Sequence, residues 1–115
     1  MTSQCLFCRI AAGEIPSTRI YSNDRVYAFR DINPAAPQHI LVIPRKHLHS
    51  LNDASPDDQA LLGELLLTAK QVASEQGFAD DGYRVVINTG EHGGQTVFHI
   101  HVHVLSGRHL SWPPG

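Results

Sequence analysis

Three histidines at alternate positions, His99, His101 and His103, stand in the run Phe98-His99-Ile100-His101-Val102-His103-Val104-Leu105. Strict alternation is the period of a β-strand, so the imidazoles share one face and Ile100, Val102 and Val104 take the other. Same-face neighbours lie about 6.5–7 Å apart, which makes a row of rings roughly 13 Å long. A face that is merely solvated would be served by Lys, Thr or Glu; imidazoles add groups that titrate near neutrality. The face is therefore expected to be polar and open to a ligand. Two chemistries suit it. Imidazoles at i and i+2 could ligate zinc with one position left open, a hydrolytic site. Alternatively, one neutral imidazole attacks an electrophile while its neighbours orient it and hold anionic charge.

The residues just upstream favour nucleophilic attack. Gly90-Glu91-His92-Gly93-Gly94-Gln95-Thr96 is a glycine-rich turn leading into the histidines. Glycines let backbone N–H groups approach an anion closely, and such turns form phosphate nests. Gln95 and Thr96 add an amide and a hydroxyl at the same edge. Near the start of the chain, Cys5 and Cys8 form a C-x-x-C pair. In a reducing compartment that spacing suggests metal or redox chemistry sooner than a structural disulfide. The pair precedes any strand instead of ending one, which disfavours a thioredoxin-like role.

These groups need a scaffold to bring them together. Residues 6–12 read as a short helix ended by Gly13, and residues 18–22 and 26–30 as strands joined by a turn at Asn23-Asp24. Pro34 and Pro37 lie in a loop delivering a third strand, 39–43, stopped by Pro44. One long helix begins with Ser55 as N-cap and Pro56 at its first position, with Asp57 and Asp58 at the positive end. Leu61, Leu62, Leu65, Leu66, Ala69, Val72 and Ala73 follow at a period near 3.6, and Gly77 is the stop. Such a helix would run about 30 Å, enough to cross a sheet. Strands over 83–88 and 97–104 complete an α-β-β-β-α-β-β order, an α+β fold with a mainly antiparallel five-stranded sheet, one long helix and one short helix.

The chain has 115 residues and a formal charge of −2, with 42% hydrophobic and 17% charged residues. One domain over 1–115 is expected, with enough core to need no disulfide. The absence of a basic run argues against a nucleic-acid reader. No stretch approaches a membrane span and no signal pattern opens the chain, so the default location is the cytoplasm.

The chain resembles the histidine triad (HIT) superfamily, whose motif appears here as His99-Ile100-His101-Val102-His103-Val104-Leu105. The resemblance extends through 7–16, Phe29-Arg30-Asp31-Ile32, 37–47, Gly93-Gly94-Gln95-Thr96 and the terminal Trp112-Pro113-Pro114-Gly115. That tetrapeptide and residues 86–90 are similar to the Hint branch, the purine nucleoside phosphoramidases.

The resemblance implies that His101 attacks the phosphorus of a purine nucleoside 5′-phosphoramidate, with water then releasing the nucleoside monophosphate. It implies phosphate contacts from His103, Asn88, Gln95 and backbone N–H groups around Gly94 and Thr96, and His39 as a group that orients or protonates. Thr96 stands where the family more often has Ser. Asp31 would hold the ribose hydroxyls, and Phe7, Ile10, Phe29 and Ile32 the base; the residues alone would make those four plain core. Trp112 would reach toward a partner's site in a homodimer, whereas composition alone makes it an anchor for the tail. Relatives bind a structural zinc at positions matching Cys5, Cys8, His47 and His99, and catalysis needs no cofactor. His49, His92 and His109 remain as surface residues. A Fhit-like hydrolase of dinucleoside polyphosphates usually has Gln at the position of His103. The further alternatives are a nucleotide-binding regulatory protein and a zinc hydrolase using all three triad histidines.

Overall fold

The structure, a computed structural model, describes residues 4–115. Its architecture follows from alternation within three strands. Val26 and Ala28 of β2 (Val26–Arg30), Ile40 and Val42 of β3 (Gln38–Pro44), and Val102 and Val104 of β5 (Val102–Ser106) are buried on one sheet face. Leu65, Ala69, Val72 and Ala73 form a single stripe of helix α2 (Gln59–Glu75) and cover that face. The alternate residues Tyr27 and Phe29 of β2, with Leu41 and Ile43 of β3, pack instead against Phe7 and Ile10 of the short helix α1 (Leu6–Ala11). The sheet is thus covered on both faces, and β2 and β3 are apolar on both.

All pairings are antiparallel, in the order β1-β2-β3-β5-β4, with β1 at Arg19–Ser22 and β4 at Arg84–Val86. The chain reaches β4 first and then inserts β5 between it and β3. That insertion sets the site: β5 pairs Leu41 with His103 on one side and Val86 with His103 on the other. Among the described residues no helix is long and apolar enough to cross a membrane.

Five expectations are corrected. The histidine strand occupies Val102–Ser106 instead of 97–104, so only His103 of the three lies in the ladder. The reason lies at the end of β3. Pro44 has no N–H to donate, and its carbonyl accepts the side-chain Nε2–H of His99 at 2.7 Å. Ile100 N–H turns away to the carbonyl of Leu48, 2.7 Å distant. Likewise the strand expected over 83–88 is confined to Arg84–Val86. Ser55 does cap, but it caps a 3-10 turn, Pro56–Asp58, whose Asp58 carboxylate reaches back to the Ser55 N–H; the α-helix proper starts at Gln59. Its 17 residues span about 25 Å, shorter than expected. On that helix Leu66 is exposed, and Thr68, two positions on, is buried instead.

Candidate active site and metal centre

His101 is 6% exposed, and its Nδ1 lies 2.8 Å from the carbonyl oxygen of His99. A carbonyl only accepts, so Nδ1 carries the proton and Nε2 keeps its lone pair. Phe7 meets the imidazole edge to face, with ring centroids 5.1 Å apart. Burial lowers the His101 pKa, while the hydrogen bond to His99 and the charge of Asp31 work weakly the other way. The result is a neutral imidazole of defined tautomer at the wall of a cavity.

His103 is set by a chain of donors. The backbone N–H of Ala35 donates to His39 Nδ1 at 2.9 Å, so a neutral His39 carries its proton on Nε2. That Nε2 lies 2.9 Å from His103 Nδ1 and 3.4 Å from Asp31 Oδ2. His103 Nδ1 therefore accepts, and its own proton sits on Nε2. Burial pushes the His103 pKa down to about 4 and also lowers that of His39, against the opposing pull of Asp31. Asp31 is itself held by the Asn33 N–H at 2.8 Å.

His99 looks elsewhere. It is completely buried, and with its Nε2–H spent on Pro44 it turns the Nδ1 lone pair toward Cys5 Sγ, Cys8 Sγ and His47 Nδ1, at 3.2, 3.4 and 3.2 Å. Cys8 Sγ and His47 Nδ1 are 3.5 Å apart. Around a tetrahedral zinc with bonds of about 2.0–2.3 Å, neighbouring ligand atoms stand roughly 3.3–3.8 Å from one another. Two sulfurs and two imidazole nitrogens at this spacing fit such an ion. Four protein ligands would close its coordination sphere and leave no place for a reacting water.

Asp31, His39 and His103 also place three potential ligand atoms within 4.8 Å of one another. Their tautomers argue against a metal there. A ligating His39 Nε2 would force the proton onto Nδ1, directly facing the Ala35 N–H. The two clusters thus differ by which nitrogen the backbone occupies. In the first, His99 turns a lone pair toward the thiols; in the second, the His39 proton lies between two imidazoles.

An open cavity of about 750 Å³ brings together Phe7, Ile10, Phe29, Asp31, Ile32, Thr96, His101 and His103. Phe7, Ile10 and Phe29 are buried core and cavity wall at once, while Ile32 is 91% exposed at the rim. His39 stands behind His103. The cavity also uses Ile15, Pro16, Ser17, Thr18 and Leu41, which sequence reasoning missed. No local pattern marks the first four; Leu41 was findable only from its pairing with His103.

Some expected site residues lie elsewhere. The open face of three imidazoles is not found: His99 is sealed among the thiols, and only His101 and His103 stand together, their ring centroids 4.9 Å apart. Gln95 is buried, and its amide donates to the carbonyls of His49 and Val97 at 2.8 and 3.1 Å while its Oε1 accepts from Gly90 N–H at 3.0 Å. Its side chain pins the glycine turn instead of extending to a phosphate. Gly93 must be glycine there, because a Cβ would stand 2.5 Å from the Thr89 carbonyl oxygen. Asn88 is half-buried and Gly94 exposed, both outside the cavity wall. Trp112 is 80% exposed and away from this chain's cavity; Arg84 lies over its ring and donates to the carbonyls of Leu110 and Ser111. His49, His92 and His109 are exposed, as expected, with His49 stacked on Phe98.

Fold, cavity and histidine array define a small α+β protein arranged for chemistry at an imidazole. The chain belongs to the HIT family, whose domain model matches residues 12–110. It is 46% identical over 110 residues to the purine nucleoside phosphoramidase of Escherichia coli, covering 96% of this chain and 92% of that one. A HIT family hydrolase from Legionella pneumophila superposes with a TM-score of 0.94 at 50% identity, over 96% of this chain and 99% of that chain. A zinc-bound histidine triad family protein from Mycobacterium smegmatis superposes with a TM-score of 0.80 at 37% identity, over 94% and 78%. By these relationships the chain is a hydrolase of the Hint-like branch.

Proposed function

We propose that this hydrolase cleaves the P–N bond of purine nucleoside 5′-phosphoramidates through a nucleotidyl-His101 intermediate. The observation that carries the reading is the His101 Nδ1–H bond to the His99 carbonyl, which leaves a neutral Nε2 lone pair at the cavity. In the first step Nε2 attacks phosphorus, the P–N bond breaks, and the amine departs with the electron pair and takes up a proton. His103 Nε2–H is the donor for a phosphoryl oxygen or for the leaving nitrogen, backed by the His39 proton behind it. In the second step water attacks phosphorus and gives a proton back to His103, the P–Nε2 bond breaks with its electron pair returning to His101 Nε2, and nucleoside monophosphate leaves. Phosphoryl transfer asks chiefly for positioning and for neutralisation of spread charge, and this array offers both.

In this reading Asp31 accepts from the ribose hydroxyls, Phe7, Ile10, Phe29 and Ile32 hold the base, and Thr96 at the cavity wall faces the phosphate. Cys5, Cys8, His47 and His99 hold a structural zinc, which supplies a rigid tie between α1 and the triad. The whole chain acts as one domain and as a homodimer. Support for the dimer comes from the outer edge of β4, where Val85 is exposed, and from exposed Leu66 and Leu67 on α2 and Trp112 in the tail.

The test is direct. The protein is mixed with adenosine 5′-phosphoramidate, quenched in alkali, and the peptide containing His101 is weighed. A nucleotidyl mass on that peptide, absent in His101→Ala, is expected. Undiminished turnover in His101→Ala without an adduct would exclude the covalent route.

A further inference from the structure

Cys5 and Cys8 are closer to the nucleophile than their place in the sequence suggests. His99 offers its Nδ1 to both thiols while its carbonyl holds the Nδ1–H of His101. Phe7 lies between the two cysteines in the chain and packs edge-on against both His99 and His101, at 6.1 and 5.1 Å. Ile100, between those histidines, bonds to Leu48, the neighbour of His47. Three separate contacts therefore tie the thiol pair to the geometry of His101.

The thiols are also accessible and already share one turn. Both are only partly buried beside an exposed His47, and Cys8 N–H donates to Cys5 Sγ at 3.2 Å. C-x-x-C side chains on one turn can meet in a disulfide by rotation about χ1.

We propose that Cys5 and Cys8 are a site of reversible oxidation by peroxides, and that their disulfide frees the metal and disengages His101. The effect on turnover rests on the proposed role of His101; the thiol chemistry does not. One thiolate attacks the peroxide O–O bond, becomes a sulfenic acid and releases hydroxide. The second thiolate displaces the sulfenic hydroxyl, forming the S–S bond and releasing a second hydroxide. Two protons from solvent convert both to water, so the dithiol loses two electrons and the peroxide gains them. His47 and His99 alone do not retain a zinc ion against solvent. His99 then loses its anchor on the thiol side, and its carbonyl no longer holds the His101 Nδ1–H in place.

The experiment uses the full chain loaded with zinc and treated with hydrogen peroxide. Metal release is read with a chromogenic chelator, and the peptide bearing both cysteines is weighed after alkylation. The Nδ1–H resonance of His101 and phosphoramidate turnover are followed in parallel. The expected result is release of about one zinc per chain, a peptide that resists alkylation, and a shifted or lost His101 resonance. Turnover is expected to fall about a hundredfold, the scale of a misplaced reacting group, and to return with dithiothreitol and zinc. Thiols that stay reduced, or a disulfide that leaves the His101 resonance and turnover unchanged, would overturn the proposal. Cys8→His keeps a four-ligand set without the disulfide, so whatever its untreated rate, peroxide is expected to leave that rate unaltered; a response equal to the parent's overturns the proposal. Zinc release, disulfide and a moved His101 resonance in a protein with no phosphoramidate turnover before treatment would refute the proposed substrate and leave this inference standing.

Discussion

His39 Nε2 lies 2.9 Å from His103 Nδ1, and the proton between them belongs to His39 because the Ala35 N–H occupies the other nitrogen of its ring. One backbone N–H from a loop thereby dictates the tautomers of two imidazoles and leaves a proton on the His103 nitrogen that remains. For His103 that information is remote in the chain, since Ala35 is local only to His39.

Removing this donor should be visible in the rate. His39→Ala leaves His103 Nδ1 without its partner and free to adopt either tautomer. A fall in kcat of about a hundredfold with a small change in KM is expected, the scale of misdirected acid–base catalysis. His39→Gln, whose amide N–H can replace the imidazole donor, should recover part of it. The acid limb of the pH profile should move upward in His39→Ala, because proton uptake at His103 no longer competes with a donated hydrogen bond. An unchanged limb would make His39 a packing residue.

Acid sensitivity has a sign. Burial lowers the His103 pKa to about 4, among His39, His101 and Asp31, of which only Asp31 pulls it upward. The folded protein therefore keeps this ring neutral while the unfolded chain takes up a proton near pH 6.5. Between those values the unfolded state binds more protons, so stability falls as pH drops from about 6.5 toward 4. Urea midpoints at pH 7 and pH 5 should show the loss. The rate contribution of His103 should persist to below pH 5, and a midpoint near 6.5 in kcat/KM would contradict a buried neutral ring.

Metal exchange separates a structural ion from a catalytic one. Cobalt in place of zinc should give the visible absorption of a tetrahedral S₂N₂ site. Turnover should stay within about twofold, since four protein ligands leave no open position. Chelation under reducing conditions should lower the thermal midpoint, because the metal's binding free energy contributes to folding. A large dependence of kcat on which metal is bound would point to metal-bound chemistry.

Gln95→Ala tests the turn. Three hydrogen bonds of a buried amide are lost, and the carbonyls of His49 and Val97 and the Gly90 N–H lose this partner. A destabilisation of about 1–3 kcal/mol is expected in chemical denaturation, accompanied by a raised KM. A KM effect without a stability change would return Gln95 to the role of a phosphate contact.

The proposed dimer can be broken at its edge. Val85 is 38% exposed on β4 and Leu67 is 66% exposed on α2. A charge at either place, Val85→Lys or Leu67→Glu, should convert a sedimenting dimer into monomer while the circular dichroism of the fold is retained. A monomeric parent protein would dismiss the dimer outright.

Much of the framework was legible in the residues because it rests on periodicity. Val102 and Val104 alternate against the histidines, Leu65, Ala69 and Val72 recur at helical spacing, and Ser55 announces a helix start; each signal is local and each appears in the fold. Boundaries failed where a single tertiary bond intervened. His99 left the ladder because its side chain captured the Pro44 carbonyl, and Ser55 capped a 3-10 turn because Asp58 reached back to it.

The local pattern was enough to specify the α+β order, to mark the three histidines of one strand as the reactive set and to pair Cys5 with Cys8 as a chemical unit. It could not divide the histidines by task. His99, His101 and His103 look equivalent in a strand, yet one faces two thiols, one shows a lone pair to a cavity and one accepts a hydrogen bond from His39. An imidazole's role depends on which of its nitrogens carries the proton. Here that is settled by backbone groups at Pro44, His99 and Ala35, two of them far away in the chain, which reach the rings only when the sheet is assembled.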